Sequence, residues 1–163
     1  MCKANIDYPM HRRIIPSKIL VAVDGSEGSR RAADYAFDIA GKDIGTCTLY
    51  LVHVIPPQVR LTHSSGYFGV VPTDLRNEIE EEAKEWFNRI LAKVRKRDNL
   101  YIIKKIISTG ASIVAEIANF ADEKHIDLIV VGATGKSGLR KLLLGSVSSG
   151  LVTHSHCSVM IIR

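Results

Sequence analysis

The sequence predicts an α/β domain, built as an open, mostly parallel sheet of five strands with helices on both faces. Three observations lead there. Short apolar runs of strand length alternate with longer segments whose apolar residues recur at helical spacing. The strand runs are buried in character, as strands covered on both faces are. Glycine-containing turns follow the first and fourth of these runs, at the strand ends where such sheets hold ligands.

The elements follow in order. Residues 19–23 are a short apolar run that stops at Asp24-Gly25-Ser26, a strand and then a turn. Ser26 or Ser29 is suited to cap the next helix, whose apolar positions include Ala32, Ala33, Ala36, Phe37 and Ala40 and which Gly41 stops. Residues 48–54 form the second strand, with His53 near its end, and Pro56-Pro57 terminates it. Residues 56–73 make a long connection with Gly66, Gly69 and Pro72, a length typical of a functional flap or mobile segment, and Tyr67 and Phe68 give it apolar surface to bury. Asp74 opens a long helix with a stripe of Leu75, Ile79, Ala83, Trp86, Ile90 and Val94. Its early Glu80, Glu81 and Glu82 and its late basic run both suit the helix dipole.

Residues 101–107 are the third strand, and Gly110 turns the chain. Ile113, Val114, Ile117, Phe120 and Ala121 mark the next helical face. Residues 128–131 are the fourth strand, 146–154 the last helix and 157–162 the last strand. Right-handed crossovers that make strands one and four neighbours would bring Asp24 and Gly132 together.

Composition narrows the function classes. A chain of 163 residues, 46% hydrophobic and 24% charged, suits one globular domain with a real core. The net charge of +5 gives a mild attraction to polyanions. Its cations are scattered apart from the run at 93–97, which reads as a solvated helix end rather than a nucleic-acid site. No apolar run reaches the roughly 18 residues of a membrane span, so none is expected. Residues 1–17 read as a loose N-terminal arm, and 18–163 as the folded domain. The arm carries Lys3, His11, Arg12 and Arg13 and lacks a signal-like apolar stretch. Cys2, Cys47 and Cys157 form no CxxC pair, which fits a reducing compartment, and the expected location is the cytoplasm.

The most informative stretch is Gly132-Ala133-Thr134-Gly135, then nine residues, then Gly145-Ser146. It lies between a buried strand and a helix start. Bare glycine backbone admits close approach by a ligand, and helix-start N–H groups favour anions, so this is a phosphate-holding arrangement. The segment Gly132 to Ser137 imitates the tail of a Walker A loop, but Val130 stands where that motif needs its first glycine. A GxGxxG fingerprint is absent after the first strand. His154-Ser155-His156-Cys157 could ligate zinc only with cooperating backbone geometry and a fourth group. His53 reads as a satisfied strand-end histidine, and Glu80 to Glu82 as a helix face.

The whole G-2x-G-9x-G-S pattern resembles the nucleotide-binding signature of the universal stress protein family. Val21-Ala22-Val23-Asp24-Gly25-Ser26 and Leu51-Val52-His53-Val54 resemble that family's first two strands. Asp127-Leu128-Ile129-Val130-Val131-Gly132, Gly145-Ser146-Val147-Ser148 and the closing run from Cys157 to Ile162 continue the likeness. It extends from about Lys18 to the C-terminus. The resemblance implies an adenine-nucleotide α-hydrolase-like fold and, with this glycine pattern, an adenine nucleotide as ligand: ATP, with Mg or Mn held mainly by its phosphates. By position it implies that Ala22, Val23 and Asp24 line the nucleoside, with Asp24 near the ribose. Val54 and Val131 would lie beside the adenine. Gly132, Gly135, Gly145, Ser146, Val147 and Ser148 would hold ribose and phosphates. Ala22 and Ser158 stand where many members carry proline.

Other readings of these residues stay open. Ser146 could instead cap the last helix, and Asp24 could cap the first or orient its turn. Lys136, Arg140 and Lys141 could screen phosphate or form a solvated rim. The expected function is an ATP-binding regulatory switch in a stress response. A slow ATPase or a nucleotide-free dimeric interaction protein are the alternatives. No base to activate water and no arginine finger is evident, so at most a weak ATPase is expected. The apolar last strand, expected at the sheet edge, predicts a homodimer, as the family commonly forms, alongside an unknown protein partner.

Overall fold

A computed structural model describes residues 16–41, 45–55, 73–94, 98–108, 112–135 and 144–163. The N-terminal arm up to residue 15, the 56–72 connection, Gly110 and the cations at 136, 140 and 141, for all of which the sequence raises expectations, lie outside the described residues.

Nine elements alternate in the expected order: β1 (Lys18–Ala22), α1 (Glu27–Ala40), β2 (Cys47–Ile55), α2 (Thr73–Leu91), β3 (Leu100–Ser108), α3 (Ile113–Lys124), β4 (Leu128–Gly132), α4 (Ser146–His154) and β5 (Ser158–Ile162). The boundaries differ from the sequence expectation by a residue at several ends; β5, for instance, begins at Ser158 and leaves Cys157 outside. The sheet order is β3-β2-β1-β4-β5. Every pairing is parallel, so the sheet is wholly rather than mostly parallel. Val21 stands between Leu51 and Val130. The winding therefore runs outward from β1 to β3, returns, and departs from β4 on the other side.

Period-two alternation divides the strand residues between two cores. Ile19, Val21, Leu49, Leu51 and Val130 face α1 and α2. Leu20, Tyr50, Val52, Ile129 and Val131 face α3 and α4. Ala32, Ala33 and Ala36 of α1 are wholly buried, and their small side chains let that helix lie close on the sheet. The α2 stripe buries Ala83, Trp86 and Ile90 as expected, with Phe87 added at 1% exposure. Phe87 widens the stripe because α2 reaches across both β2 and β3.

Caps settle where two helices begin. The Ser26 hydroxyl accepts the Ser29 N–H at 3.1 Å, and Ser112 accepts the Ala115 N–H at 3.4 Å. His125 ends α3 in the left-handed conformation, φ 53°, and its N–H returns to the Ala121 and Asp122 carbonyls. Just before β4, one Asp127 carboxylate oxygen accepts from the Ser17 N–H, the Ser17 hydroxyl and the Lys18 N–H at 2.8–3.0 Å. This joins the start of β1 to the start of β4 and sets their register.

Candidate functional site

An open cleft of about 230 Å³ lies beyond the C-terminal ends of β1, β2 and β4. This is the switch point, since the chain leaves β1 to one side and β4 to the other. The eleven residues named from the sequence all line this cleft. Ala22, Val23 and Asp24 come from the end of β1, and Val54 from the end of β2. Val131 and Gly132 close β4, and Gly135 lies in the loop after it. Gly145, Ser146, Val147 and Ser148 form the start of α4.

The opposite wall, Ile113 and Ile117 of α3, was not named. Both carry the helical-period signal of a core face, and nothing local separates a cleft wall from a core. Ser29 and Thr134 also line the cleft and were not named for it. Val54 and Val131, each 5% exposed, supply with these isoleucines an apolar region suited to a flat aromatic group.

Asp24 is the only carboxylate among the described lining residues. Its Oδ1 accepts the Ser26 N–H at 3.0 Å, so it orients the turn, one of the two roles left open for it. Its Oδ2 faces Gly135, where a Cβ would come within 2.7 Å of it. Gly135 therefore gives room to a carboxylate of this chain. Gly132 has a similar internal function. A Cβ there would lie 2.6 Å from the backbone carbon of Gly28, so β4 and the first turn of α1 meet main chain to main chain. Gly145 is different, for among the described residues a Cβ there would meet nothing nearer than the Ala133 carbonyl at 3.4 Å.

One of the readings left open at α4 is overturned. Gly145, not Ser146, is the N-cap, and no side chain of the described residues caps the helix. Ser146 is the first helical residue, with its exposed side chain at the cleft. The physical reason is a backbone bond: Gly145 N–H donates to the Ala133 carbonyl at 2.7 Å, fixing the chain's entry one residue earlier. The Ser148 hydroxyl, 2% exposed, reaches the Ala133 carbonyl at 3.0 Å and the Gly145 carbonyl at 2.9 Å. Its proton is directed at main chain, which ties α4 to the end of β4.

His53 is buried and its Nδ1–H donates to the Val23 carbonyl at 2.7 Å, which satisfies that ring nitrogen. His154 Nδ1 donates to the Gly150 carbonyl at 2.8 Å, within its own helix. Burial pushes the Cys157 thiol pKa up.

A wholly parallel, doubly wound domain with a glycine-lined, half-apolar cleft at its switch point is of the α/β class. The universal stress protein family model matches residues 16–163, nearly the full length, and the chain belongs to that family. It is similar to the universal stress protein YxiE of Bacillus subtilis, 37% identical over 90% of this chain and 99% of that one. The solved structure of MJ0577, a protein of Methanocaldococcus jannaschii, has a TM-score of 0.75 at 24% identity, over 91% of this chain and 96% of that one, and shares the fold. A universal stress protein solved in complex with cAMP aligns at 25% identity with a TM-score of 0.63, over 91% and 98% of the two chains.

Proposed function

We propose that this chain is an ATP-binding universal stress protein that acts as a nucleotide-dependent switch. The observation that supports it most is convergence. The bare backbone after β4, the side-chain-free N-cap of α4, the Asp24 turn and the valine–isoleucine walls all face one cleft. Its polar end suits phosphates and its apolar end a purine. The cAMP complex of a relative supports the adenine class. A Mg or Mn ion bound through phosphates needs few protein ligands, and Asp24 is the carboxylate in reach of that role. The remaining parts of the proposal are a folded unit at 18–163 with an arm at 1–17, a cytoplasmic location and a protein partner that reads the bound state. Among the described residues, no helix is long and apolar enough to cross a membrane.

The test is calorimetry and thermal unfolding with ATP and Mg. At a hundredfold excess over Kd, binding stabilises the fold by about 2.7 kcal/mol, raising Tm by roughly 5–10 °C for a domain of this size. A Tm and a heat signal indifferent to ATP, ADP, AMP and cAMP would refute the reading.

Homodimerisation through β5 belongs to the same proposal. This strand ends the sheet, and Val159, Met160 and Ile161 are only half-buried. Ile162 turns its carbonyl inward to the Ala133 N–H, so by alternation Val159 and Ile161 turn their backbone groups outward. Ile161→Pro is therefore expected to remove an outward donor while keeping the β4 pairing, and to convert a dimer to a monomer by light scattering. An unchanged mass would place any interface elsewhere.

A further inference from the structure

The turn that carries Asp24 is held from behind by α2. Gly25, φ +79°, has the Trp86 indole on it so closely that a Cβ would fall 2.5 Å from Cε2 and 2.8 Å from Cδ2 and Cζ2. On the other flank of Asp24, the Val23 carbonyl takes the Nδ1–H of His53, and Trp86 meets that imidazole edge to face, centroids 5.1 Å apart and planes at 86°. Trp86 thus bears on both neighbours of Asp24 while standing outside the cleft that Asp24 lines.

A second, smaller cleft of about 110 Å³ lies behind the turn, with Gly25, Trp86, Arg89 and Ile90 on its walls. Val23, Ser26 and Ser29 wall both clefts, so the Asp24 turn is a thin partition between them. Packed contacts do not deform continuously. If the partition shifts on ligation, the indole must follow it, and the smaller cleft is the space in which it can move.

We propose that Trp86 is a positioning residue for the nucleotide cleft: through Gly25 and His53 it sets the Asp24 turn, and it transmits occupancy of the cleft to α2. The proposal rests on the adenine-nucleotide reading above. It also predicts an intrinsic reporter, since Trp86 is the chain's single tryptophan.

The experiment is a double-mutant cycle on the full chain, with ATP-Mg affinity measured by calorimetry and Trp86 emission followed in the wild type. Trp86→Leu and Gly25→Ala are each expected to weaken ATP about tenfold, in the usual range of coupling between sites. The double variant is expected to lose clearly less than the product, because the smaller side chain makes room for the new Cβ. Backbone strain at position 25 is common to both Gly25→Ala proteins and cancels in the cycle. Should Trp86→Leu fail to fold, Trp86→Phe replaces it. Saturating ATP is expected to shift the wild-type emission spectrum.

Wild-type affinity in the Trp86 variants overturns the proposal, as do strictly multiplicative losses in the double variant. An emission spectrum indifferent to ATP, in a protein that binds ATP by calorimetry, overturns the link to α2 and leaves the nucleotide reading intact. Absence of ATP binding to the wild type overturns both.

Discussion

Gly132→Ala is expected to lower the unfolding free energy by about 3 kcal/mol, the upper part of the usual range for overpacking. The added methyl would sit 2.6 Å from the Gly28 backbone carbon, 2.9 Å from its carbonyl oxygen and 3.0 Å from its Cα. None of these atoms is the end of a flexible side chain that can rotate away. The helix behind Gly28 is anchored by Ala32, Ala33 and Ala36, all at 0% exposure, so its first turn cannot withdraw without opening that packing. Urea unfolding measures the effect. A change below about 0.5 kcal/mol, the level of an ordinary surface substitution, would mean that α1 slides on the sheet with little resistance. Because Ser26 and Ser29 belong to the same first turn, the variant is also expected to bind ATP more weakly.

Gly135→Ala and Gly145→Ala are expected to differ sharply, although both positions belong to one glycine pattern. At Gly135 the new methyl meets Asp24 Oδ2 at 2.7 Å. The carboxylate can turn aside, but turning costs Asp24 its 3.0 Å bond from the Ser26 N–H and its place at the cleft. A charge-assisted bond of this kind is worth about 1.5–3 kcal/mol, so a stability loss of up to that size is expected. With Asp24 displaced from the cleft, ATP binding is expected to weaken as well. At Gly145 the nearest atom is the Ala133 carbonyl at 3.4 Å, and φ is −66°. An alanine fits there at the cost of a poorer N-cap, about 0.5–1 kcal/mol of stability, with ATP binding within threefold of wild type. Calorimetric titration of both variants separates the cases. Equal losses would mean that the glycines act by bareness alone and not through Asp24.

Much of this protein was legible along the chain. The strand of Ile19 to Val23 and the α2 stripe of Ala83, Trp86 and Ile90 are local patterns, and the structure keeps them with small shifts at the ends. The meeting of Asp24 and Gly132 was legible only as a condition, that β1 and β4 be neighbours, and the structure meets that condition. Phe87 was missed because a second bulky residue beside Trp86 looks the same whether it faces core or solvent. In the sequence Ile113 and Ile117 read as core, because a cleft wall has the period of a core face. The Ser146 cap failed for a non-local reason: Ala133, in the loop before, captures the Gly145 N–H.

Periodicity and turn chemistry, properties of neighbours in the chain, were enough to specify the α/β class, and the ordered motifs, through their resemblance to the universal stress protein family, pointed to the family and to a set of residues that line one cleft. How those residues use one another was decided only in three dimensions. Gly28 against Gly132, Asp24 under Gly135 and Trp86 on Gly25 are contacts between segments far apart in sequence. Each depends on how closely a helix or loop lies on the sheet, a distance that close packing of the finished core sets to tenths of an ångström and that no local pattern encodes.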